Sequence, residues 1–309
     1  MLNAINLKGK SMISTTVRRK KKKDEIKVTV GPFRSPADFK TCLDIQQEAF
    51  DHRDVDFVPI SMLIAASRTG GILLGAYSGL GDMIGFTFSI LGMRDGKPVQ
   101  HCCMLATKSA YKNFDIGFKL QSALRKETLK RKIACVTCVF DPMQPVHSYF
   151  FLGKLGFNAA GYEENFYGEI SRLYDKGLSA DRMTAVWELE NDMVIKRLEI
   201  GPPRHDFSKD LKRVPVINQL TEAVPGLCIS SPIKMDCKEE NFLFEVPYNL
   251  SEIKNRDLFA AMEWQRNLRQ VFGGYFKKGY SAVDFWSAEQ EGHLRAGYLL
   301  KKQKTAFAL

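Results

Sequence analysis

The stretch best suited to chemistry is Lys112-Asn113-Phe114-Asp115-Ile116-Gly117, between an apolar strand and a long helix. A strand that runs into a glycine-bearing turn and then a helix gathers backbone N–H groups and the positive end of the helix dipole around one point. Diphosphate is the anion such a nest suits. Lys112 adds a cation, and Asn113 tolerates the left-handed conformation of a tight turn. Asp115 works against this, because a carboxylate here repels phosphate and is expected to take the helix N-cap. A second group follows the apolar run 133–140: Asp141, Pro142 and Gln144 stand where a pocket opens at a strand end, with helix capping as the competing role. His147 is a candidate base or ligand contact, against the ordinary structural role of a lone histidine. Asn165-Phe166-Tyr167-Gly168-Glu169 is a polar, aromatic, glycine-bearing loop of the kind that binds ligands. Its Glu169 could hold or deprotonate an amine, and Asn165 and Tyr167 are its substrate-side candidates.

Two cysteine patterns carry less. Cys135-Val-Thr-Cys138 lies inside a buried strand and reads as two small core residues. In His101-Cys102-Cys103 adjacent strand residues point to opposite faces, and no second ligand cluster stands out, so no metal is expected.

These residues need elements to hold them. Residues 26–30 alternate as a strand, and Ser35-Pro36 opens a helix with Ser35 as N-cap. A shorter helix spans 59–67 and stops at Gly70-Gly71. Strands at 72–77, 83–90 and 99–106 are joined by Ser78-Gly79-Leu80-Gly81 and Arg94-Asp95-Gly96, an antiparallel meander. A long helix follows over 115–132, then the strand 133–140, apolar enough to be central and covered on both faces. Pro145 starts a helix that Gly156 closes, and 183–189 reads as a closing strand. The order β-α-α-β-β-β-α-β-α-β implies a mixed α+β sheet. Residues 201–213 look like a linker. Beyond it lie a strand at 242–247, a single long helix at 253–275, and a hairpin from 280–286 and 296–300.

The 309 residues hold 45 basic and 35 acidic side chains, a net charge of +10. Eight basic residues fall within the first 23, which contain no acid. The body is therefore nearly neutral, and global basicity says little about what it binds. The tail lacks the apolar core of a secretory signal; it is expected to be a solvated arm, its alternatives being a mitochondrial targeting segment or recruitment to nucleic acid or an anionic surface. No apolar run reaches the ~18 residues of a membrane span. Seven cysteines without scaffold spacing point to reduced thiols and a cytoplasmic setting.

Beyond these readings, residues 83–189 resemble the GNAT superfamily of acyl-CoA-dependent N-acyltransferases, whose element order is the one above. More narrowly, several segments resemble a GNAT subfamily: residues 101–106 with Tyr111-Lys112, Phe140-Asp141-Pro142-Met143-Gln144, and Lys154-Leu155-Gly156. Asn165 to Glu169, Ser179-Ala180-Asp181-Arg182, Trp187-Glu188-Leu189, Phe276-Lys-Lys-Gly-Tyr280 and Val283-Asp284-Phe285 complete the set, so the likeness covers about residues 27–300. It implies a GNAT-like, mostly antiparallel sheet flanked by helices, a smaller α+β lobe, and boundaries of 1–26 (tail), 27–190 and 191–309. It implies acetyl-CoA or another acyl-CoA as co-substrate, no metal, a small-molecule amine acceptor such as an amino acid, and compatibility with a homodimer. Met104, Leu105 and Ala106 would offer amides to the thioester carbonyl, Lys112 to Gly117 would hold the diphosphate, and His147 would contact CoA. The family pattern [QR]-x-x-G-x-[GA] keeps Gly117 but has a glycine where this chain has Asp115. The family's usual general-acid tyrosine position is Leu152 here. Tyr149, on nearly the same helix face, is the substitute acid, with Glu169 as base. The opposing reading is a non-catalytic ligand-binding or interaction protein with a weakened CoA site.

Overall fold

The computed structural model describes residues 13–18, 25–50, 57–168, 178–224, 226–290 and 293–303. The chain divides into two compact units, Met1–Cys138 and Val139–Leu309. The boundary expected near residue 190 lies inside the second unit.

The first unit contains β1 (Ile13–Arg18), β2 (Glu25–Pro32), α1 (Pro36–Phe50), α2 (Ile60–Arg68), β3 (Ile72–Ser78), β4 (Met83–Arg94), β5 (Lys97–Thr107), α3 (Ile116–Lys130) and β6 (Cys135–Phe140), in which the unit ends. Strands β1 to β5 pair antiparallel in chain order, and β5 pairs parallel with β6. The element order is the expected one, in a mixed and mostly antiparallel sheet. Part of the basic tail departs from expectation: Ile13-Ser-Thr-Thr-Val17 is rich in β-branched residues that favour extended backbone, and it pairs with β2. One sheet face carries Leu73, Tyr77, Phe86, Phe88 and Ala106 against Phe39, Cys42 and Ile45 of α1 and Leu63 of α2. The other face lies under α3, which buries Ile116, Leu120, Ala123 and Leu124.

The second unit holds α4 (Pro145–Ser148), a wide π-helical stretch Tyr149–Leu155, β7 (Asn158–Glu163), β8 (Arg182–Glu188), α5 (Asp192–Glu199), α6 (Phe207–Asp210), β9 (Leu220–Val224), β10 (Leu227–Ser230), β11 (Asn241–Pro247), α7 (Leu250–Arg256), α8 (Leu258–Lys277), β12 (Tyr280–Gln290) and β13 (His293–Lys302). Its strands run antiparallel in the order β8-β7-β12-β13-β11, with β9 and β10 as a separate hairpin. β8 is thus no closing strand for an independent sheet, since β12 adds to β7 through Ala282 and Ala159. The single long helix expected over 253–275 is two: Asp257 is extended (φ −150°) and its side chain accepts from Ala260 N at 3.0 Å, capping a new helix. The stretch expected as a linker is packed, with Phe207 buried against Leu243 and Trp286. Gly156 ends the π stretch at φ 81°, as its C-cap role requires.

Candidate active site

The turn from β5 to α3 is held at its start by remote partners and shaped further on by its own backbone. Lys108 N donates to Ile84 O (2.9 Å), which ends the β4–β5 ladder, and Ser109 N is taken by the Glu48 carboxylate of α1. Asn113 (φ 72°) and Asp115 (φ 55°) are both left-handed. Two left-handed residues so close together turn successive amides toward one concave side, a nest. The first bond within α3 is Lys119 N to Asp115 O (3.1 Å), so the amides of Ile116, Gly117 and Phe118 precede the helical ladder. Asp115 corrects the sequence expectation. It holds the N-cap position, yet in its left-handed conformation the side chain makes no capping hydrogen bond. A left-handed backbone is a glycine's natural conformation, which accounts for a glycine at this place in the pattern. Lys112 and Asn113 are exposed at the rim, while Phe114 and Ile116 are buried beneath.

Next to this turn, the β5–β6 ladder covers only Gln100 to Cys102 against Val136 to Cys138. Among the described residues β6 gives β5 no partner beyond Cys102, although β5 runs on to Thr107. At this point β5 also bulges. Phe88 pairs with Met104 and Ser89 with Cys102, leaving Cys103 as the extra residue. The bulge reverses the alternation: Cys102 meets Gln121 of α3, whereas Met104 and Ala106 pack with α1 and α2. His101 is held by Thr137 Oγ1 (2.9 Å), and its burial lowers its pKa.

In the second unit a groove is lined by Asp141, Met143, Gln144, Ser179, Arg182, Leu250, Ser251, Lys254 and Gln265 among others. Asp141 Oδ1 accepts from Met143 N (2.8 Å), so that carboxylate does cap its turn, while Gln144 at the N-cap of α4 makes no side-chain cap. The neighbouring turn carries Asn165 (φ 51°) and the exposed Tyr167, over whose ring the Arg182 guanidinium lies at 5.0 Å. The buried Asp181 carboxylate anchors this turn. Its oxygens accept from Tyr162 Oη (2.8 Å), Asn165 N (3.0 Å), and Arg269 Nε (2.7 Å) and Nη2 (2.8 Å) of α8. That fork raises the Arg269 pKa, and Arg269 also reaches Glu164 at 3.0 Å. Burial, followed by the Asp181 charge, raises the Tyr162 pKa.

The groove thus brings Asp141 and Gln144 together, beside the turn that carries Asn165 and Tyr167. His147 is exposed on α4. Tyr149 is half-buried at the start of the π stretch, its ring against Gly153, where an added Cβ would come within 2.9 Å of Tyr149 Cδ2. Leu152 is fully buried. Glu169 lies outside the described residues. Arg182, Lys254 and Gln265 of the groove, and Arg269 behind it, were not read as site residues. Arg182 closes the segment Ser179-Ala180-Asp181-Arg182 without having been given a role; the others sit on helices with no local signal. Among the described residues no group of three or more His, Cys, Asp and Glu is placed to hold a metal ion.

A scan against protein-family models finds no match, and a search of curated proteins finds none either. Solved structures are similar over about half the chain. Ard1 from Thermoplasma volcanium is 15% identical, covering 52% of this chain and 95% of its own, with a TM-score of 0.41. The ribosomal-protein-S18-alanine N-acetyltransferase from Escherichia coli is 19% identical over 53% and 95%, also at 0.41. Arabidopsis thaliana Naa50, in complex with the bisubstrate analogue CoA-Ac-MVNAL, is 17% identical over 52% and 97%, at 0.41. At such identities and scores the functional reading rests on the chain's own residues.

Proposed function

We propose that this chain is a GNAT-type N-acyltransferase that moves an acetyl or other short acyl group from acyl-CoA to the amine of a small molecule such as an amino acid. The observation that carries the reading is the β5–turn–α3 segment, where a bulged strand with an open flank leads into a nest of amides at a helix N-terminus. The nest fits a diphosphate, because it offers amides, a helix dipole and Lys112 around one point. Cys103 to Thr107 fit an acyl carbonyl, because among the described residues their outward amides meet no strand partner. Once CoA is held, the acyl group would lie along β5 and the free amine would attack its carbonyl carbon. The amine would lose a proton to a base, and the thiolate would leave with a proton from an acid. Glu169 and Tyr149 are the proposed base and acid, and Asp141, Gln144, Asn165 and Tyr167 the proposed acceptor contacts. A polar groove with a carboxylate and two cationic side chains supports a small charged acceptor.

The second reading is a ligand-binding protein without turnover. It is favoured by the Asp115 carboxylate at the nest and by the aliphatic, buried Leu152. Binding of the full chain to immobilised CoA, beside Asp115→Gly, tests both. The enzyme reading expects retention of wild type on the resin and amine-dependent release of free thiol from acetyl-CoA. Retention only after Asp115→Gly supports a degraded site, and no retention of either form ends the acyltransferase reading. Removing one negative charge a few ångströms from a diphosphate is worth about 1–2 kcal/mol near a surface, or roughly five- to thirty-fold in affinity.

A further inference from the structure

Beneath the bulge of β5 lies a buried polar cluster that joins β4, β5 and α3. Thr87 of β4 and Gln121 of α3 are fully buried, and Cys102 of β5 is nearly so. Thr87 Oγ1 donates to Met104 O (3.1 Å), and Cys102 Sγ reaches the same carbonyl at 3.7 Å. Thr87 has one proton, already committed to that carbonyl, so toward Gln121 it accepts. Gln121 Nε2 donates to Thr87 Oγ1 (3.4 Å) and to Cys102 Sγ (3.3 Å). Gln121 Oε1 finds no hydrogen-bond partner among the described residues. A half-satisfied buried network is costly to keep, so its position under the bulge is informative.

The direction of the backbone follows from the ladder. Lys108 N faces β4, where it donates to Ile84 O. Residues alternate along a strand, so the polar groups of Ala106 and Met104 face β4, while those of Leu105 and Thr107 face the other flank. All peptides here are trans. In a trans peptide the C=O and the following N–H point in opposite directions. Fixing Met104 O toward Thr87 therefore fixes Leu105 N–H toward the flank where, among the described residues, β5 has no strand partner past Cys102.

We infer that Thr87 and Gln121 are positioning residues, which hold the Met104–Leu105 peptide at the bulge so that the Leu105 amide is presented as the hydrogen-bond donor to an acyl carbonyl. The inference rests on the acyl-CoA reading above and adds which amide donates and what aims it. Because Gln121 lies about a turn and a half along the helix that begins at the nest, the same strut ties the register of α3 to the bulge. A diphosphate seated on the helix end and a carbonyl seated on β5 are then held at a fixed separation.

The test uses the full chain, isotopically labelled, with acetyl-CoA as the probe. Affinity for acetyl-CoA is measured first. The Leu105 amide proton is then followed by NMR with and without the probe in wild type, Thr87→Val, Thr87→Ser and Gln121→Met. Val keeps the branched shape and loses the hydroxyl; Ser keeps the hydroxyl; Met keeps the length of Gln121 and loses its amide. Acetyl-CoA is expected to move the Leu105 proton downfield in wild type and in Thr87→Ser. In Thr87→Val and Gln121→Met that shift is lost at unchanged affinity, and acyl transfer falls about tenfold in kcat. Gln121→Met gives the reading if Thr87→Val does not fold. Binding that leaves Leu105 unmoved in wild type, or moves it equally in Thr87→Val and Gln121→Met, overturns the inference while the acyl-CoA reading stands. Absence of acetyl-CoA binding in wild type overturns both.

Discussion

Asp181→Asn isolates the anchor behind the groove without changing its shape. The Asp181 side chain is 2% exposed and its Arg269 partner 28%. Breaking a fully buried pair costs about 3–5 kcal/mol. The guanidinium here keeps contact with water and with Glu164, so the expected loss is smaller, about 2–3 kcal/mol. Part of it comes from replacing charge-assisted bonds with neutral ones, and part from turning the new amide NH2 toward an arginine that offers only donors. For a unit of this size each kcal/mol moves Tm by about 2–4 °C, so calorimetry should record a fall of about 4–12 °C. The loss should also be local: amide hydrogen exchange should quicken across 163–168, since Asn165 N gives up its carboxylate acceptor. Arg269→Gln and the double variant complete a cycle, with an expected coupling of about 1–2 kcal/mol. Strict additivity, or an Asp181→Asn variant within about 0.5 kcal/mol of wild type, would refute the claim that this pair fastens the turn.

Three further outcomes are expected. Arg197 is buried, donates to Leu152 O and Gly153 O and pairs with Asp284 at 3.0 Å, so Arg197→Met should cost about 3–5 kcal/mol in urea unfolding; adding Asp284→Leu should recover a large share of it. In the first unit, a Cβ at Gly71 would stand 2.6 Å from Ser89 O and 2.7 Å from Ala66 O, and neither backbone group can yield cheaply. Gly71→Ala is therefore expected to lower the denaturation midpoint by the equivalent of about 3 kcal/mol, and an unchanged midpoint would count against the packing described. The Cys103 thiol is pushed up to about 11 by desolvation and by neighbouring Cys102. Thiolate is the reactive form, so alkylation by iodoacetamide should be slow at pH 8 and rise steadily toward pH 11; a rate that levels off below pH 9 would show an ordinary or activated thiol.

The sequence made the first unit readable because its signals are local. Alternation located β2, the turns at 78–81 and 94–96 set off β3 to β5, Pro36 and Gly70-Gly71 bounded α1 and α2, and Asn113 was recognisable as a left-handed residue. Asp115 was misjudged for an instructive reason. Aspartate is a favoured N-cap, but capping requires extended backbone, and the tight turn imposes φ 55° on it. The bulge at Cys103 left no trace in residue types, since it is set by pairing with β4 and by the cluster under it. The second unit was less readable because long-range contacts decide it. Arg269 stands 88 residues from the carboxylate it grips. Phe207 and Trp286, which bury the supposed linker, are comparably remote from each other. The break at Asp257 was locally encoded, yet the apolar period of the two helices runs through it and hid the cap.

The grip of α8 on Asp181 also bears on whether the chain can be divided. A fragment ending near residue 190 would retain the resembling segments from His101 to Leu189, but it would lose those at 276–280 and 283–285, Arg269 and the whole of β12. Asp181 would lose its arginine counter-ion and the cover of α8, and the flank of β7 that meets Ala282 would become a bare edge open to pairing with other chains. Excision should therefore yield an aggregating fragment. The last hundred or so residues behave as a built-in brace, inherited together with the groove they hold in shape.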